Sequence, residues 1–214
     1  MDNKNVYIFD FDGTLVDSMP TYASVMLRIL DENNISYGKD IVKIITPLGY
    51  GGTADYFIKL GIKLSRESLI ATMRDYAKDE YSKNVFTKDT VTSTLKELKK
   101  RGASLNVLTA SPHPILDPCL KNNGITELFE NIWSCDDFGT TKANPQIYKE
   151  AAKRLGKKPE EVIFVDDNVN AVMTAKAAGM ISYGIFDQSS AEYTEQIKKE
   201  AHRYLVKFGE LLED

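Results

Sequence analysis

Short runs of apolar, β-branched and aromatic residues punctuate the chain at 6–9, 103–108, 132–134, 162–165 and 181–185. Each later run follows a segment whose apolar residues recur at helical spacing, and strands alternating with helices predict a parallel sheet. The residues at the boundaries agree with that rhythm. Asn144 is placed to cap a helix whose first turn holds Pro145, and Lys153 and Arg154 lie in its last turn before Gly156. Thr90 is expected to open a helix that ends at Gly102, with Lys99, Lys100 and Arg101 as its basic end, and Gly179 closes another. Pro118 falls within a helix-like run containing Ile115, Leu116, Cys119 and Leu120, so this helix is expected to start late or bend.

From 17 to about 87 the rhythm changes to helix after helix. Tyr22, Val25, Met26, Ile29 and Leu30 form an apolar stripe at helical spacing, as do Leu69, Ile70, Met73, Tyr76 and Ala77, with only a weak strand-like run at 41–45. Such stripes read as helix packing. A helical insertion straight after the first strand of a parallel sheet predicts a second small domain seated over the strand ends, where open α/β sheets bind ligands. The chain closes with a helix expected from about Ser190, opened by the pattern Ser189-x-x-Glu192, and a last apolar group of Tyr204, Leu205, Phe208, Leu211 and Leu212.

A length of 214 residues with 43% hydrophobic content suits one well-buried core plus a small accessory domain. The net charge of -4, with lysines scattered along helices, argues against a nucleic-acid partner. No apolar stretch of signal-peptide length follows Met1 to Asn5, and no run approaches the length needed to cross a bilayer, so the expectation is a cytoplasmic protein with no membrane partner. Cys119 and Cys135 are too few and too far apart for a zinc cluster, and a reducing compartment leaves them unpaired.

The candidate chemistry begins directly behind the first run, at Asp10-Phe11-Asp12-Gly13-Thr14. In an extended segment Asp10 and Asp12 share one side while Phe9 and Phe11 pack on the other, and two close carboxylates need a cation or a shared proton to hold them. A calcium loop counted from Asp10 would need glycine and glutamate where Leu15 and Thr21 stand. Other chemical residues also fall at strand ends. The second run ends in Thr109, Ala110 and Ser111; the fourth ends in Asp166 and Asp167; Lys142 follows the third, ahead of the Asn144-Pro145 helix start. Parallel strands bring these ends to one edge, where hard oxygen ligands from Asp10, Asp12, Asp166 and Asp167 suit magnesium, and Lys142 with Thr109 can hold an anion. Taken singly, each has a plainer account: Thr109 as a helix cap, Lys142 as solvated surface, the adjacent aspartates as acidic charge at a helix start.

With these residues in this order, the chain resembles the haloacid dehalogenase superfamily of phosphohydrolases, from about Val6 to the carboxyl-terminal helix. The first motif stands as Asp10 to Thr14, the second as Thr109, the third as Lys142 followed by Pro145 and Tyr148, and the fourth as Asp166-Asp167 running into Ala175 to Met180. The insertion matches the small cap of the phosphoglycolate phosphatase and β-phosphoglucomutase-like branch. The resemblance implies Asp10 as nucleophile, Asp12 as acid and base, and a magnesium ion held by the Asp10 carboxylate, the Asp12 backbone carbonyl and Asp167. It also implies Thr109 and Lys142 on the phosphoryl oxygens. The remaining expected substrate contacts are Gly13, Thr14, Ala110 and Ser111 in the core and Tyr22, Tyr50 and Thr53 in the cap. The fourth motif departs from the common form: Asp166 replaces a glycine, and Ala171 stands where a further acid often lies.

An acid at Asp12 favours phosphate esters over halides or phosphonates. A phosphomutase of the same superfamily shares both aspartates but is expected to carry a cap histidine near Tyr22, and the only histidines here are His113 and His202. A non-catalytic phosphate- or nucleotide-binding protein is the remaining class. Its best feature is 49–54, which fits the dinucleotide pattern glycine-x-glycine-x-x-alanine; the alternative is a cap loop in which Tyr50 and Thr53 select the leaving group. The combined expectation is an α/β fold: a Rossmann-like parallel-sheet core at 1–16 and 88–214 with an inserted helical cap domain at 17–87. Its function is expected to be monomeric, magnesium-dependent hydrolysis of a small phosphorylated metabolite.

Overall fold

The computed structural model describes residues 5–213, so all but the last of the opening residues read for a leader lie outside the described residues. In chain order the elements are β1 (Val6–Phe9), α1 (Met19–Glu32), α2 (Ile41–Ile45), α3 (Gly49–Lys59), α4 (Arg66–Asn84), α5 (Val91–Lys100), β2 (Ser104–Thr109) and α6 (His113–Asn122). There follow β3 (Asn131–Ser134), α7 (Pro145–Arg154), β4 (Val162–Asp166), α8 (Val169–Ala177), β5 (Ile181–Ile185), α9 (Thr194–Glu200) and β6 (Arg203–Leu205). The chain divides into two compact units, Met1–Asp17 with Phe86–Asp214, and Ser18–Val85.

The first unit carries a six-stranded sheet in the order β3-β2-β1-β4-β5-β6, every neighbouring pair parallel. Every residue of β1 and β4 is buried, as a central parallel strand covered on both faces requires. Val6, Ile8, Val162 and Phe164 pack against Ile147, Tyr148 and Ala151 of α7 and Ala171 and Ala175 of α8. Asn144 caps α7 by accepting from the Gln146 amide at 3.0 Å, as expected from the sequence. Phe9 stands in register with Val107 on one side and Val165 on the other. From β1 the chain order runs outward through β2 in one direction and β4 in the other, and the strand ends on either side of such a reversal open onto a crevice.

Several expectations change at the local level. The 3-10 turn at Gln188–Tyr193 precedes α9, and its cap is Asp187, whose side chain accepts from the Ser189 amide at 2.8 Å. The pattern at Ser189 and Glu192 therefore opens no helix. Tyr204 and Leu205 belong to a sixth strand, seated on β5 through the pairs Tyr183 with Arg203 and Gly184 with Tyr204. That strand is too short to show alternation. Helix α6 begins at His113 and runs across Pro118. Thr90 precedes α5 in the left-handed region, φ 67°, and its hydroxyl accepts from the Gly209 amide rather than capping the helix.

The second unit has its own apolar core. Val25, Met26, Ile29 and Leu30 of α1 pack with Phe57 of α3 and with Leu69 and Met73 of α4. The run at 41–45 is helix α2 rather than a strand: Ile41 and Ile45, four apart, both face inward, and a lone strand would leave its backbone groups without a ladder. The glycine-rich segment at 49–54 lies inside α3, preceded by a 3-10 turn and α2. The strand, turn and helix sequence that cradles a dinucleotide is therefore not formed there, and the segment is no loop.

Gly184 marks where β5, β6 and α9 come closest. A Cβ at this position would lie 2.2 Å from Ile197 Cγ2 and 3.1 Å from a Tyr204 ring carbon. Gly184→Ala is expected to destabilise the protein by about 1–3 kcal/mol through overpacking, read as a lower urea midpoint. An unchanged midpoint would show that α9 can move off the sheet at no cost.

Candidate active site

The main-chain amide of Asp10 donates to the Val165 carbonyl at 2.9 Å, which continues the β1–β4 pairing one residue past the strand end. The chain then folds back sharply. Leu15 and Val16 amides donate to the Phe11 carbonyl, and the Gly13 amide donates to Val16 at 3.0 Å, with Gly13 at φ 75°. Phe11, Leu15 and Val16 are fully buried and anchor this turn. Asp10 and Asp12 consequently do not lie along one extended face. Asp10 is buried, while Asp12 is half-buried and accepts from Ser111 Oγ at 2.5 Å.

The carboxylates of Asp10, Asp166 and Asp167 meet at this edge, with one oxygen of each within 4.8 Å of the others. Asp12 does not contribute its carboxylate to that group. Lys142 enters from the loop between β3 and α7, and its ammonium donates to Asp10 Oδ1 at 2.6 Å and to Asp166 Oδ2 at 2.8 Å. The other Asp166 oxygen accepts from the Asn168 amide at 2.7 Å. Thr14 Oγ1 donates to Asp167 Oδ1 at 3.3 Å. Gly13 makes room for Asp167, since a Cβ there would stand 2.8 Å from both carboxylate oxygens.

Burial pushes the Asp10 carboxyl up to about 7; the Lys142 ammonium pulls it back, and the Asp166 and Asp12 carboxylates add to the rise. Burial also holds Asp167 well above its ordinary range, with Asp166, Asp10 and Asp187 reinforcing the shift. Burial alone would lower Lys142, yet Asp10 and Asp166 beside it hold it well above its usual value, so it remains a cation. One ammonium among three buried carboxylates leaves room for further positive charge. Three carboxylates that bring hard oxygen donors within 4.8 Å of one another suit a small divalent cation.

Of the expected phosphoryl contacts, Lys142 joins the carboxylates and Thr109 ends β2, the strand beside β1. Thr109 is buried at the end of β2, and its hydroxyl accepts from the Ser111 amide at 3.0 Å, with Ala110 exposed between them. Tyr148, which the sequence offers only as part of the lysine motif, shares its hydroxyl between the carbonyls of Lys142 at 3.0 Å and Ala171 at 3.3 Å. It thereby fixes the loop that delivers Lys142. Lys88 and Asp187 also bear on the turn at Gly13, the Lys88 ammonium donating to the Gly13 carbonyl at 2.7 Å and to Asp187 at 3.0 Å. Asp187 follows the end of β5, the signal that singled out the other strand-end acids, whereas Lys88 sits in a polar stretch with no marker. Tyr22, Tyr50 and Thr53 belong to the helical unit: Thr53 is fully buried, its hydroxyl is 3.4 Å from Tyr22 Oη, and the Tyr22 and Tyr50 rings are 6.0 Å apart.

A family model for haloacid dehalogenase-like hydrolases matches residues 7–185. The chain belongs to that family. It is 31% identical over 179 residues to the pyrophosphatase PpaX of Bacillus velezensis, a match covering 83% of this chain and 81% of the relative. It is 29% identical over 194 residues to a phosphoglycolate phosphatase of Colwellia psychrerythraea, covering 86% and 85% of the two chains. With these relatives, the haloacid dehalogenase-like chain is an enzyme, a hydrolase acting on phosphoric ester bonds. Its fold is shared with CbbY of Rhodobacter sphaeroides, solved with xylulose-1,5-bisphosphate, at a TM-score of 0.82 and 18% identity over 97% of this chain and 96% of the other.

The ring of His113 faces two carboxylates, Nδ1 at 2.9 Å from Asp117 and Nε2 at 2.9 Å from Asp137. Hydrogen bonds to Asp117 first and Asp137 second raise it above its ordinary 6.5. A raised histidine contributes stability that is complete below the unfolded value and disappears as pH rises through the folded one. Because the ring is 38% exposed, His113→Gln is expected to cost less than about 1 kcal/mol near pH 5. That difference should vanish at alkaline pH in urea melts; one that persists there would show that the histidine acts through packing.

Proposed function

We propose that this protein is a magnesium-dependent phosphatase that hydrolyses a small phosphomonoester through an aspartyl-phosphate on Asp10. The observation that carries the reading is the convergence of Asp10, Asp167 and Lys142 at one buried strand edge. A carboxylate oxygen of Asp10 attacks phosphorus, and the bond from phosphorus to the ester oxygen breaks. Asp12, more exposed than Asp10 and tied to Ser111, gives its proton to the departing alkoxide. In the second half Asp12 takes a proton from water as that water attacks phosphorus, the bond to Asp10 breaks, and inorganic phosphate leaves with the carboxylate restored. In this reading Thr109 and the remaining N–H of Lys142 bind the equatorial oxygens, where charge accumulates.

Magnesium would be held by the Asp10 carboxylate, the Asp12 carbonyl and Asp167, and it supplies positive charge that keeps Asp10 ionised and offsets its repulsion from an anionic substrate. Asp166 has a different part in this reading. One of its oxygens accepts from Lys142 and the other from the Asn168 amide, so in this reading its task is to anchor the lysine. Thr14 serves the site by orienting Asp167 rather than by touching substrate.

The helical unit is read as a cap that selects the leaving group, supported by its insertion directly after the Asp10–Asp12 turn. Tyr22 and Tyr50 are its proposed contacts, with Thr53 acting through Tyr22. A phosphomutase is less well supported, because His113 and His202 both belong to the sheet unit and the cap has no histidine. The substrate class is a small phosphorylated metabolite; phosphoglycolate and pyrophosphate, named for the relatives, are the first to test. No described helix is long and apolar enough to cross a membrane, and the two free cysteines suit the reducing cytoplasm, where we place the enzyme.

Phosphate release across a panel of phosphorylated metabolites with magnesium tests this directly, and Asp10→Asn is expected to lower kcat by about a thousandfold or more. Undiminished turnover in that variant would sink the nucleophile assignment. Magnesium titrations separate the adjacent aspartates. Asp167→Asn should raise the magnesium needed for half activation by about tenfold or more, while Asp166→Asn should chiefly lower kcat. Equal shifts in magnesium requirement would refute the proposed division.

A further inference from the structure

Lys88 is held in a way its polar surroundings in sequence do not foretell. Its ammonium donates to three acceptors: the Gly13 carbonyl at 2.7 Å, the Phe186 carbonyl at 2.8 Å and Asp187 Oδ2 at 3.0 Å. Three donors meeting three acceptors is the full capacity of the group. The side chain is only 21% exposed and Asp187 only 6%. The main chain of Lys88 is fixed as well, its amide donating to the Leu15 carbonyl at 3.0 Å, next to the pairing of Asp17 with Phe86. Asp187 is held on its other side by the Ser189 amide and hydroxyl.

Gly13 is thereby pinned at both ends. Its amide is committed to Val16, and because the N–H and C=O of a trans peptide point in opposite directions, that bond aims the Asp12 carbonyl the other way. Its carbonyl is committed to Lys88. Between the two, its Cα packs against the Asp167 carboxylate, so a rotation at Gly13 would displace both the Asp12 carbonyl and the space for Asp167.

We propose that Lys88 is a positioning residue for the cation site, acting through the Gly13 carbonyl on the Asp12 carbonyl and Asp167. This rests on the metal-site reading above. Charge and geometry predict opposite signs. Removing a cation beside a cluster of carboxylates should tighten a divalent ion, whereas releasing Gly13 should loosen it.

The test is manganese binding to the intact protein, followed by electron paramagnetic resonance without substrate. Lys88→Ala and Lys88→Met are expected to weaken binding by about tenfold or more. Propylammonium, which restores the missing stem and three N–H donors, should recover binding in Lys88→Ala, and tetramethylammonium, equal in charge but without donors, should not. Lys88→Met keeps the aliphatic packing and gives the same comparison if the alanine variant does not fold. Unchanged or tighter binding in a folded Lys88 variant, or equal rescue by both cations, would overturn the proposal, provided Asp167→Asn loses manganese. Should Asp167→Asn bind manganese as the wild type does, the metal-site reading itself fails.

Discussion

The Lys142 ammonium, seated between Asp10 and Asp166, is the interaction that lets acidic side chains occupy the buried end of a parallel sheet. At 2.6–2.8 Å, each contact is worth roughly 6 kcal/mol of attraction at an effective dielectric near 20, most of it spent against desolvation. Deleting one member of such a set typically costs about 3–5 kcal/mol, because it strands the others without a counter-charge. Stability and chemistry are therefore coupled here: the same charge that permits the fold to keep Asp10 buried also lowers its proton affinity toward the range where a carboxylate can act as a nucleophile.

Backbone conformation supplies what charge cannot. Asp10 continues the ladder to Val165, so its side chain starts from a rigid strand end, and the turn that follows is closed by bonds to the Phe11 and Val16 carbonyls. Tyr148 performs the corresponding task for the loop bearing Lys142. Sites built this way place charged groups on the ends of packed elements and use neutral hydrogen bonds to remove the remaining freedom.

Most of this was legible in the sequence, for identifiable reasons. β1, β2, β4 and β5 are central or nearly so, and their apolar runs stand out; the helix caps at Asn144 and the basic end at Lys99 and Lys100 are local signals that tertiary structure did not override. The strand-end residues Asp10, Thr109, Asp166 and Asp167, and Lys142 in the loop after β3, follow from topology once the sheet is known to be parallel. What was not legible depends on contacts distant in sequence. The edge strand β6 is defined by pairing with β5, and α2 by burial in a helical core. Lys88 has no local signal, since its acceptors lie 75 and 98 residues away.

The adjacent aspartates differ in their hydrogen-bond partners. Asp166 is the last residue of β4 and turns toward Lys142, while Asp167 is the first residue beyond it and turns toward Thr14 and Gly13. A glycine at 166 would leave Lys142 with Asp10 as its carboxylate partner, so the aspartate strengthens the hold on the lysine. Ala171 fits the same economy. It is 4% exposed within the α7–α8 packing, and its carbonyl receives the Tyr148 hydroxyl, so a carboxylate there would have to be buried beside apolar side chains. The cluster of Asp10, Asp166 and Asp167 forms without an acid at 171.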